Sequence, residues 1–107
     1  MPDRPDIVCI CGSTRFADAM SAANRELTFA GVIVVAPGVF PGAHGDEADQ
    51  LVTDEQKAAL AALHLHKIDL ADRVLVVNPG GYIGESTSRE IAYAHATGKP
   101  VSFTDPV

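Results

Sequence analysis

At 107 residues the chain has room for one domain, spanning 1–107, and one hydrophobic core. Its 47% apolar share with only 6% aromatic residues excludes a disordered tail and implies a core of Val, Ile, Leu and Ala. A net charge of −6 excludes a binder of nucleic-acid polymers, because that affinity comes from Lys and Arg neutralising phosphates.

The run Ile7-Val8-Cys9-Ile10-Cys11 is continuously apolar and stops at Gly12-Ser13-Thr14, the pattern of a strand buried on both faces of a parallel sheet. Cys9 and Cys11 lie two apart in that strand. They point to one face, are poorly placed to bond each other, and read as reduced core residues. From about Arg15 to Ala30, Phe16, Met20, Ala23 and Leu27 recur at spacings of three and four, predicting an amphipathic helix closed by Gly31. A second strand follows as Val32 to Ala36. Residues 37–53, with their prolines, glycines, His44 and acids, predict a long connection of lid type.

Thr53 or Asp54 caps a helix carried by Ala58, Leu60, Leu63, Leu65 and Ile68 to about Asp72. Val74 to Val77 forms a third strand, stopped by Asn78-Pro79-Gly80-Gly81. Ser86, Thr87 or Ser88 caps a last helix through Glu90, Ile91, Ala94 and His95, closed at Gly98 before the strand Val101 to Phe103. Alternating strands and helices predict an α/β, Rossmann-like or flavodoxin-like three-layer fold with a short parallel sheet in the order 2-1-3-4. Strands 1 and 3 then sit side by side with their helices on opposite faces, and ligands bind where their carboxyl ends open a crevice.

Two loops face that crevice. Gly12, Ser13, Thr14 and Arg15 offer backbone N–H groups, two hydroxyls and a guanidinium at a helix start, which suits a phosphate or a ribose hydroxyl. The second loop runs from Asn78 to Ser88. Its glycines, including Gly81 and Gly84, let backbone approach a ligand, Ser86 and Ser88 add hydroxyls, and Tyr82 can cover a base. Glu90 is expected in the first turn of the last helix, ionised by the helix dipole and able to act as a nucleophile.

Leu70-Ala71-Asp72-Arg73-Val74-Leu75-Val76-Val77, then Gly84, Arg89-Glu90-Ile91-Ala92-Tyr93-Ala94 and Gly98-Lys99-Pro100-Val101, resemble the nucleoside 2-deoxyribosyltransferase family. Gly12-Ser13-Thr14-Arg15 is similar to the opening loop of its N-glycosidase branch, which hydrolyses deoxyribonucleoside 5'-monophosphates. The resemblance covers nearly the whole chain, with a looser match over 37–63. It implies that Glu90 attacks the anomeric carbon and that water or a second base resolves the glycosyl-enzyme intermediate, as in retaining glycosidases. It further implies that Ser13 and Arg15, with Ser86 or Ser88, hold a 5'-phosphate, and that Asn78 or Tyr82 contacts sugar or base. His64 stands where the family carries an aspartate that handles the proton of the base, and histidine transfers protons near neutral pH. Asp69 is a fallback acid on another part of the helix. Pro79-Gly80-Gly81-Tyr82 also looks like the loop of phosphoribohydrolases that release cytokinin bases from nucleotides.

The expected function is cleavage or transfer of the N-glycosidic bond of a nucleoside or its monophosphate, the alternative being a non-catalytic nucleotide-binding or sensing module. No cofactor is expected. No metal site is expected either, since His64 and His66 diverge by about 200° on their helix. No run approaches the ~18 apolar residues of a membrane span, and Met1-Pro2-Asp3-Arg4-Pro5-Asp6 has no apolar signal region, so a cytoplasmic protein without a membrane partner is expected. So small a domain is expected to cover its exposed faces as a homo-oligomer, a dimer or larger.

Overall fold

The computed structural model describes residues 4–37 and 53–106; the lid expected in the 37–53 connection therefore lies almost wholly outside the described residues. Strand β1 (Ile7–Gly12) is followed by a short 3₁₀ turn (Thr14–Phe16) and helix α1 (Ala17–Phe29), then β2 (Ile33–Val35). Helix α2 (Asp54–Leu70), β3 (Arg73–Val77), a second 3₁₀ turn (Pro79–Gly81), α3 (Glu85–Ala96) and β4 (Val101–Phe103) complete the order. The described strands form one parallel sheet in the order β2-β1-β3-β4, as the alternating pattern predicts.

β1 and β3 take the two central positions, where both faces of a strand are covered, while the apolar run of β2 lies at the edge. Val8, Cys9, Ile10 and Cys11 of β1 are all at 0% exposure. Side chains alternate between the two layers. Cys9, Cys11, Val74 and Val76 pack with Ile68, Ala71 and Ala94 of the α2 and α3 side, whereas Ile10 and Val77 meet Met20 and Ala23 of α1. The helices following β1 and β3 thus lie on opposite faces, and the two strands diverge at their carboxyl ends. There β1 ends on Gly12, opposite Val77 in the register. A Cβ on Gly12 would lie 2.7 Å from the Val77 carbonyl oxygen, so only glycine lets the strand ends approach this closely.

Helix ends follow the sequence in part. Gly31 sits at φ +87° directly after the last turn of α1, a conformation that costs glycine little. Thr53 caps α2 in a reciprocal box, its Oγ1 accepting from Gln56 N at 3.0 Å while Gln56 Oε1 accepts from Thr53 N at 2.9 Å. Two expectations are corrected. The α3 cap is Gly84, without a side-chain cap, because Glu85 already supplies an acid to the first turn and Thr87 is drawn into the interior at 3% exposure. The stripe of α2 is also displaced: Leu60 and Leu63 are each 48% exposed, and the buried residues of that helix are His64 and Ile68.

Asp72, read from sequence as a simple helix exit, fastens the amino-terminal segment to β3. Its carboxylate accepts from Arg4 Nη1 and Nη2 at 2.8 and 2.9 Å and from the Ile7 amide at 2.9 Å. The Arg4 guanidinium and that amide hold Asp72 well below the usual carboxylate range. A depressed folded-state value means the contribution is present above the ordinary value and lost as pH falls through the folded one. Asp72→Asn is accordingly expected to melt below the parent protein at pH 7, with the gap closing under strong acid in thermal scans across pH. No helix among the described residues is long and apolar enough to cross a membrane.

Candidate active site

The carboxyl ends of β1 and β3 open into a cleft of about 530 Å³, within the ~300–1,000 Å³ typical of small-molecule sites. Gly12, Ser13 and Thr14 form one wall. Ser13 also caps the 3₁₀ turn, its Oγ accepting from Arg15 N at 3.3 Å. Tyr82, Gly84 and Ser86 form the opposite wall. His64 reaches in from α2 and Glu90 from α3, with His64 Nε2 3.7 Å from Glu90 Oε1. Both groups named from sequence as chemically active thus share one cleft with the two loops.

Four other predicted contacts do not line it. Arg15 turns its guanidinium over the Tyr82 ring at 4.7 Å, while Phe16 meets the same ring edge-on at 5.7 Å, so both brace Tyr82. Ser88 lies exposed on α3. Gly81 packs against the segment after β4, where a Cβ would stand 2.9 Å from Pro106 O. Asn78 is fully buried and serves the same segment: its Nδ2 donates to Asp105 O at 3.0 Å, and its Oδ1 accepts from Asp105 N at 2.9 Å and Thr104 Oγ1 at 3.2 Å. With those atoms committed, Asn78 is a clamp. Asn78→Ala leaves the part-buried N–H and carbonyl of Asp105 without that partner and is expected to cost about 1 kcal/mol in denaturant titrations.

The electrostatics of Glu90 differ from the sequence expectation. With α3 starting at Glu85, Glu90 is in the second turn, beyond most of the dipole's reach. Burial instead pushes its carboxyl above the ordinary range, opposed by the charge of His64 and a hydrogen bond from Cys11. Burial alone would strip the His64 proton, yet the bond to Cys9 and the field of Glu90 leave its value raised. Each group draws the other toward its charged form. Beneath them, the hydrogen bond from Cys11 holds the Cys9 thiol below its ordinary range, and the same bond together with burial pushes Cys11 up.

Lys57 and Lys67 line the cleft without having been singled out from sequence. They place cations in the crevice of an acidic protein, and Lys67 Nζ also donates to Ala36 O at 2.8 Å. A signal existed: Lys57, Leu60, Ala61, His64 and Lys67 recur at spacings of three and four and share one face of α2. Asp69, the fallback acid, lies outside the cleft and accepts from Tyr93 Oη at 2.6 Å. A second feature passed over in the sequence is a thiol–imidazole group. Cys9 Sγ, Cys11 Sγ and one His64 nitrogen all lie within 4.8 Å of one another, a donor set able to hold a metal.

Neither a family model nor a curated protein matches the sequence. Among solved structures, the chain is similar to a 2-deoxyribosyltransferase from the psychrotolerant bacterium Bacillus psychrosaccharolyticus. The TM-score is 0.65 at 19% identity, covering 94% of this chain and 76% of that one. Likeness at this identity is one of architecture, and the chain has a nucleoside 2-deoxyribosyltransferase-like fold.

Proposed function

We propose that the protein cleaves or transfers the N-glycosidic bond of a nucleoside or nucleoside 5'-monophosphate, with Glu90 as nucleophile and His64 as acid and base. The observation that carries this reading is the half-buried Glu90 carboxylate 3.7 Å from His64, in a cleft whose wall is the Gly12-Ser13-Thr14 turn. The shared fold with a 2-deoxyribosyltransferase adds support.

In the first step a Glu90 oxygen bonds the anomeric carbon as the bond to the base nitrogen breaks. The base leaves with the electron pair and takes a proton from His64. In the second step water, or another base, attacks the same carbon and gives its proton to His64, and the ester to Glu90 breaks. Backbone N–H groups of the Gly12–Thr14 turn, with Lys57 and Lys67 across the cleft, suit the 5'-phosphate of a monophosphate substrate. Tyr82, braced by Arg15 and Phe16, suits a face of the base or sugar.

The test is chromatography of free base after incubation with a panel of ribo- and deoxyribonucleosides and their 5'-monophosphates, with and without an acceptor base. Release from at least one member, dependent on Glu90, is expected; intact substrate throughout, at high protein concentration, defeats the proposal.

A further inference from the structure

The glycosidic chemistry leaves two thiols unused directly below the cleft. Cys9 and Cys11 are two apart in β1, so both side chains leave the same face. Both meet one imidazole, His64 Nε2 lying 3.7 Å from Cys9 Sγ and 3.3 Å from Cys11 Sγ. The thiols are at 0% exposure and His64 at 5%. Conventional hydrogen bonding does not account for the ring: Nδ1 is buried without a partner among the described residues, and Nε2 faces two sulfurs and the Glu90 carboxylate.

We infer that Cys9, Cys11 and His64 bind a thiophilic divalent cation of the zinc class, with Glu90 beside the fourth coordination position, and that this cation shuts off the chemistry of the cleft. Bond lengths of ~2.3 Å to sulfur and ~2.0–2.1 Å to nitrogen put the sulfur–nitrogen edge of a tetrahedron at ~3.5 Å. The two observed separations straddle that edge, and the two sulfurs lie within 4.8 Å of one another. Two sulfurs and an imidazole favour zinc-class ions over magnesium or calcium, which take oxygen. On binding, two metal–sulfur bonds and one metal–nitrogen bond form, and whatever protons Cys9, Cys11 and His64 Nε2 still hold leave to solvent, while His64 keeps a proton on Nδ1. The same Nε2 is then closed to proton transfer and Glu90 faces a cation instead of a sugar. The inhibitory part rests on the function proposed above; the binding part does not.

The test titrates cobalt(II) into the chelator-treated full chain. One equivalent is expected to produce sulfur-to-cobalt charge-transfer absorption and the intense ligand-field bands of a tetrahedral site, both removed by one equivalent of zinc, with protons released on zinc binding. Cys11→Ser is expected to weaken binding by at least about 100-fold. Because both cysteines are core residues and their variants can misfold, the parent protein decides: no charge-transfer band there overturns the site. If base release has been observed, zinc is expected to suppress it and chelator to restore it, and turnover unchanged by bound zinc overturns the inhibition. A cobalt spectrum in a protein that releases no base supports the metal site while ending the glycosidase reading.

Discussion

Glu90→Gln is expected to lose base release by about 10³-fold or more while still binding nucleotide, because the covalent route disappears rather than slowing. Single-turnover assays on chelator-treated protein would read the loss, and calorimetry the retained affinity. A variant with parental turnover would remove the carboxylate from the mechanism. The same substitution has a stability readout of opposite sign. Burial raises the Glu90 carboxyl in the folded protein, and a raised value favours the fold at low pH and loses that contribution as pH climbs through it. The glutamine variant, which has no proton to lose, is expected to melt above the parent at pH 7–8 and to forfeit that advantage toward pH 4. Catalytic loss with a gain in melting temperature separates a functional carboxylate from a structural one.

His64→Ala is expected to lower turnover by about 10²–10⁴-fold, the usual worth of a positioned proton donor. The loss should depend on the leaving group: largest for bases that must be protonated to depart, small for a glycoside whose leaving group is stable as an anion. In metal-free protein the parent's rate should fall on the alkaline side only above the ordinary histidine range, since the His64 value is raised, and this limb should vanish in the variant. Equal losses across leaving groups, with the alkaline limb intact, would make His64 a packing residue. Its contact with Glu90 at 3.7 Å would then serve the carboxylate's charge alone.

The central strands were legible because burial on both faces leaves an unbroken apolar run in β1 and β3, although the run Val32 to Ala36, equally apolar, belongs to the edge strand β2. Strand order followed from the handedness of the crossovers, and with it the crevice. Helix α2 was misread because it does two jobs along its length. Its carboxyl-terminal part packs Ile68 into the core, while Leu60 and Leu63, scored as core from their apolarity, stand at the open cleft. The family resemblance implied a ligand contact for Asn78; its actual partners, Thr104 and Asp105, lie too far along the chain for local pattern to show. The thiol–imidazole group was hidden for the same reason. Along the chain His64 has only His66 near it, on another side of the helix, whereas its companions in space are the two thiols of β1.

The parallel ladder between β1 and β3 sets a timetable for biosynthesis. Cys9 stands opposite Val74 in that register and Cys11 opposite Val76, so β1 is made about 65 residues before the strand that covers it on that side. Throughout that interval both sulfurs lie open to oxidants and to disulfide exchange, whereas in the closed ladder both are at 0% exposure. Reductant supplied during translation is therefore expected to protect the thiols more than reductant added to the folded product, as read by thiol counting on the purified protein.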